Sequence, residues 1–175
     1  MLWKPILILS LSFITFELQT PQLKTPGERL SGSLPQELTE SETQTILRER
    51  SPKPHIEATL KISDARLASA FDLVEKNQYK SAAQDVDTYA ALIVYADAYT
   101  RKLPNSQSKD RQSCLKKIEQ VVFKQSRTVD VVLREFPYDY REPASTKIEQ
   151  VKKIRLRALN DLLGDGKMIK TSDNE

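Results

Sequence analysis

One histidine and one cysteine are the only imidazole and thiol in this 175-residue chain, and they limit the chemistry open to it. A Ser-His-Asp relay would have to use His55 as its base, because a triad needs an imidazole between nucleophile and carboxylate. His55 follows Pro54 at the edge of a polar stretch, where the expected role is an ordinary exposed side chain. Cys114 stands alone, which excludes an intramolecular disulfide and thiolate clusters for zinc or iron–sulfur. Haem attachment through Cys-x-x-Cys-His is closed for the same reason. A leftover thiol in an exported chain could bridge two copies, but on a helix it reads first as a small buried hydrophobe.

Other chemistry is as sparse. A di-iron bundle needs Glu-x-x-His on two helices, which one histidine cannot supply. Phosphate-cradling loops need glycines between a strand and a helix. Asp85 and Asp87 are two apart on an expected helix, so they face different ways and make a poor acid–base pair. With no nucleophile, base or metal set to assemble, the expectation is a non-enzymatic protein with no cofactor and no metal.

Two patches could instead bind a partner. Phe136, Tyr138, Tyr140 and Arg141 gather aromatics and an arginine in one short stretch, the residue types that anchor protein interfaces. The same residues could cap the end of a bundle. Lys152, Lys153, Arg155 and Arg157, with Lys116, Lys117, Lys124 and Arg127 upstream, form a basic set that could meet nucleic acid or anionic lipid. Their spacing spreads them around the helices, which disfavours nucleic acid, because that reading wants a continuous basic path.

The elements that carry these residues follow from apolar spacing. From His55 to Leu103 the chain has neither proline nor glycine. Leu60, Leu67, Phe71 and Val74 form one helical stripe; Ala82, Val86, Tyr89, Ile93 and Ala96 form another. Asn77 tolerates the left-handed conformation and marks the turn between them. A third helix over about 109–136 carries Leu115, Ile118, Val122, Val129, Val132 and Phe136, interrupted by Gln125. Pro137 and Pro143 should bracket a loop. A fourth helix over 144–163 carries Ile148, Val151, Ile154, Ala158 and Leu162, with Gly164 placed to cap it. All four glycines lie outside residues 33–163, and a sheet protein would spend glycine in turns and bulges. The expected fold is all-α: a four-helix bundle of two antiparallel hairpins, about 55–77, 79–102, 109–136 and 144–163.

Charge is mixed at 29% with a net of only +3. From 55 to 100 there are four Lys/Arg against seven Asp/Glu; from 101 to 157 there are fifteen against seven. The simplest use of that asymmetry is internal, an acidic hairpin meeting a basic one. Lys117-Ile118-Glu119-Gln120-Val121 recurs as Lys147-Ile148-Glu149-Gln150-Val151, thirty residues on. It reads as a duplicated helix or as common helix vocabulary.

Residues 1–20 combine Lys4 with an apolar run from Pro5 to Phe16, the pattern of a signal peptide or uncleaved signal anchor. Residues 21–54 are rich in Pro, Thr, Ser, Gln and Glu and are expected to form a disordered tether, with room for a short helix between Glu37 and Arg50. Residues 164–175 are expected to fray. The first hairpin resembles a tetratricopeptide-type helix pair at Ala70, Leu73, Tyr79 and Ala82. More loosely, the layout of signal, tether and hairpins resembles exported helical-bundle proteins of bacteria. That resemblance implies a periplasmic or extracellular location and no particular activity. The expected function is therefore a structural or protein-interaction module with a protein partner or self-association, touching membrane only through its N-terminus. Binding of anionic polymers through helices three and four is the alternative.

Overall fold

The computed structural model describes residues 33–164. Within them the chain forms five α-helices and no strand: α1 (Glu40–Arg48), α2 (Pro52–Glu75), α3 (Tyr79–Arg101), α4 (Ser108–Glu135) and α5 (Tyr138–Leu163), with a short 3-10 turn at Asn105–Gln107. The all-α bundle and its two hairpins, α2–α3 and α4–α5, match the expectation. The signal-like residues 1–20, the first part of the tether to residue 32 and the tail from 165 lie outside the described residues.

The first hairpin turns where the sequence placed it. Asn77 takes φ 57°, the left-handed state that asparagine adopts more readily than bulkier residues. Its N–H donates to the Val74 carbonyl and the Gln78 N–H to that of Leu73, both at 2.9 Å. This paired arrangement satisfies the last carbonyls of α2 and reverses the chain. The phenol of Tyr79 donates to the Asn77 side chain at 2.5 Å, fixing the start of α3.

Cross-hairpin contacts give the topology. Lys53 meets Asp110 at 3.7 Å, Lys117 meets Glu57 at 3.6 Å, and Gln125 donates to Asp64 at 2.9 Å. Numbers rise together on both helices, so α2 and α4 run side by side in the same direction. Lys147 pairs with Asp87, Arg157 with Asp97 and Arg101 with Asp161, so α3 and α5 are parallel too. The second hairpin therefore lies on the first in the same orientation, as successive units of a helical-repeat stack do. The shared interface buries Ile56, Leu60, Leu67, Val86, Tyr89 and Ile93 against Ile118, Val122, Val129, Ile148, Val151 and Ile154. Glu57–Lys117 and Asp87–Lys147 sit thirty residues apart on both sides, so the repeated Lys-Ile-Glu-Gln-Val segments make equivalent ties to the acidic hairpin.

One expectation is sharpened and one is corrected. Within the stretch 21–54, the short helix allowed for between Glu37 and Arg50 forms at Glu40–Arg48 as α1. The Thr39 hydroxyl accepts the Glu42 N–H while the Glu42 carboxylate accepts the Thr39 N–H at 2.8 Å, a reciprocal cap that satisfies two end groups at once. Ile46 is fully buried against Ile62, Leu92 and Tyr95, with Leu34 and Leu38 packed alongside. One apolar residue suffices because α2 and α3 already present a formed surface to receive it. The correction concerns the expected loop 137–143. Helix α5 starts at Tyr138 and continues through Pro143. Proline there forfeits one bond to the carbonyl four residues earlier, in the second turn of the helix. Ala144, the next residue, is buried in the core.

Candidate functional site

Several ionisable side chains in this protein tie helices together. Arg66 of α2 donates to Glu42 of α1 through Nε at 2.9 Å and Nη2 at 2.5 Å, and to Asp85 of α3 through Nη1 at 2.9 Å. One guanidinium thus holds three helices. Burial pushes the Glu42 carboxyl up, but hydrogen bonds from Arg66 and Thr39 together outweigh it and hold the group below its ordinary value of 4.5. A depressed carboxylate stabilises the fold above its unfolded-state pKa and loses that contribution as pH falls through the folded value. Acid titration below about pH 4.5 should therefore loosen α1 before the rest of the bundle, read as early loss of amide protection at 40–48.

A second cluster ties α3 to α5. Asp97, buried, accepts from Arg101 Nε at 2.9 Å and from Arg157 Nη2 at 2.5 Å, while Arg101 Nη1 reaches Asp161 at 2.8 Å. Two arginines complete a buried carboxylate that would otherwise be costly to bury. A third polar seam crosses the core, where the Gln125 amide donates to Asp64 and the Tyr89 phenol is fully buried. Burial and the Asp64 charge push that phenol well above its usual range, so it stays neutral at physiological pH.

His55 is not the exposed side chain expected of it. It is 5% exposed; one ring nitrogen meets the Glu49 carbonyl at 3.0 Å and the other the Tyr95 hydroxyl at 2.7 Å. A carbonyl only accepts, so Nδ1–H donates to it, and Nε2 shares the second bond with the phenol. The ring also stacks on Tyr99 at 4.3 Å. It pins the α1–α2 turn to α3. Among the described residues, no three His, Cys, Asp or Glu side chains gather to ligate a metal.

The aromatic patch expected as an interface is split by the fold. Phe136 is fully buried and Tyr138 is 73% exposed. Tyr140 packs against the core beside Phe136 and Tyr79. Arg141 donates to the Phe136 carbonyl at 2.7 Å and the Arg134 carbonyl at 2.8 Å, capping α4. Three of these four residues therefore finish the end of the bundle. Half of the basic set is paired among the described residues: Lys117 with Glu57, Lys152 with Glu149, Arg155 with Glu119 and Arg157 with Asp97. Lys153 is exposed and makes no ion pair among the described residues.

Sequence reasoning missed a different surface. Helix α1 covers the outer side of the α2–α3 hairpin. The corresponding outer side of α4–α5, at the opposite end of the stack, has no helix over it among the described residues. There Phe123 is 59% exposed, with the Arg155 guanidinium 4.5 Å from its ring centroid and Glu119 holding that arginine at 3.1 Å. The one sequence signal was Phe123 itself, an aromatic off the α4 stripe. No family model, curated protein or solved structure matches this chain.

Cys114 is buried against this core. Burial, reinforced by Asp110, pushes its thiol up to about 11. Thiolate is the reactive form. Alkylation of the native protein at neutral pH should be slow and should accelerate sharply in denaturant, measured by mass spectrometry.

Proposed function

We propose that this protein is a non-enzymatic interaction module that docks a partner helix or helical hairpin on the outer face of α4–α5. The observation that carries the reading is Phe123, a large exposed aromatic under an oriented arginine, on the face where a further hairpin of a helical stack would sit. Repeat-type stacks need polar caps at both ends, and aromatic–arginine pairs are typical anchors of interfaces. Glu119 pre-orients Arg155, so little side-chain entropy is lost when a partner arrives. The apolar run from Pro5 to Phe16 supports an exported or membrane-tethered setting, which fractionation of the native cell checks.

A photo-reactive residue in place of Phe123, in the full chain in its native cell, tests the docking face. A discrete adduct with one protein or a second copy is expected, with none from the same residue at Leu47 on the α1 end. No adduct at 123, or the same adducts from both positions, would sink the proposal.

A further inference from the structure

Where the C-terminal end of α3, the first turns of α4 and the last turns of α5 meet, the surface dips into a depression of about 390 Å³ lined by Arg101, Ser108, Arg111, Gln112, Leu115 and Asp161. Two guanidinium nitrogens of its lining residues, Arg101 Nη2 and Arg111 Nε, are buried and have no hydrogen-bond partner among the described residues. Such unpaired donors are rare in native proteins, because each carries the full cost of desolvation. Three of the other four nitrogens of these side chains are engaged. Arg101 uses Nε on Asp97 and Nη1 on Asp161, and Arg111 uses Nη2 on the Leu103 carbonyl and Asn105 side chain. Both side chains line one depression, each anchored at one end and each with a spare donor packed behind the surface.

Charge points the same way. The lining holds the two cations Arg101 and Arg111 and the carboxylate Asp161, which leaves one positive charge over. Arg111 is the cation among them without a carboxylate partner among the described residues. The floor is the apolar Leu115 side chain, and the rim is Ser108 and Gln112, both exposed and both able to donate. The first turn of α4 adds its favourable dipole, a supplement to the arginines.

We propose that this depression binds a small tetrahedral oxyanion of the phosphate class. Two guanidinium groups lining one depression match such an anion, which takes paired N–H donors better than a spherical halide does. Both spare nitrogens are covered by neighbouring atoms, so binding requires a small turn of these half-buried side chains toward the mouth. The site lies at the α3–α4 corner and makes no use of the Phe123 face, so the two proposals stand or fall separately.

The test is titration of the full chain with inorganic phosphate at constant ionic strength, followed by arginine Nε–Hε resonances and by calorimetry. Saturable shifts at Arg101 and Arg111, absent with chloride, are the expected result. Arg111→Gln should weaken phosphate binding by about tenfold or more. Because Arg111 also caps α3, Ser108→Glu provides a second variant. A glutamate there favours the α4 N-terminus yet places a negative charge at the rim, so it should keep the fold and lose the anion. Equal responses to phosphate and chloride, or unchanged binding in folded Ser108→Glu, would overturn the proposal.

Discussion

Replacing Phe136 with alanine is expected to remove about 3–5 kcal/mol of unfolding free energy, the range for truncating a fully buried phenylalanine. The ring is wholly excluded from solvent and faces Tyr140 at 6.4 Å between centroids. Its loss leaves a void where α4 turns into α5, and the backbone cap from Arg141 cannot fill it. Denaturant unfolding should show a lower midpoint with an unchanged slope, the sign of lost stability without a change in the denatured ensemble. Tyr138→Ala, two residues on but 73% exposed, should stay within about 0.5 kcal/mol. Similar losses for both would mean that the aromatic patch acts as one surface instead of being divided between core and solvent.

Ile46→Ala should cost about 2–5 kcal/mol if α1 stays docked. The true cost has a ceiling, because α1 can leave without unfolding α2–α5, and the loss cannot exceed the free energy that holds α1 in place. The expected outcome is therefore local: fast amide exchange over 40–48, with the α2–α5 core still protected. Its fully buried contacts with Ile62, Leu92 and Tyr95 make Ile46 the single residue whose removal most directly frees the helix. Global loss of protection would instead mean that α1 is part of the cooperative core.

How much of this was legible from the sequence depends on the range of the interaction. The stripes of α2 to α5 are local periodicities, and Asn77 is a local turn preference, so both read correctly. His55 did not, because its partners are Glu49, Tyr95 and Tyr99, and only folding brings α3 to it. Arg66 is hidden for the same reason, its two carboxylates lying 24 and 19 residues away. Pro143 misled because the helix-breaker rule weighs the lost hydrogen bond and not the apolar burial on either side of it. Helix α1 is a different case. The sequence left room for a helix between Glu37 and Arg50, and the capping box of Thr39 and Glu42 sets where it starts. The parallel stacking of the hairpins follows from pairs such as Asp64–Gln125, which no spacing rule connects. Phe123 stood out only as an off-stripe aromatic. Its significance depends on which end of the stack α1 covers.

That placement of α1 is the central claim, since it closes one end of the stack and leaves the α4–α5 face as the surface for a partner. Hydrogen exchange on the wild-type chain, followed peptide by peptide at neutral pH, tests it directly. The account predicts amides over 42–48 protected well beyond their unfolded rates, with protection lost in Ile46→Ala. Exchange of that segment at unfolded rates in the wild type would contradict it.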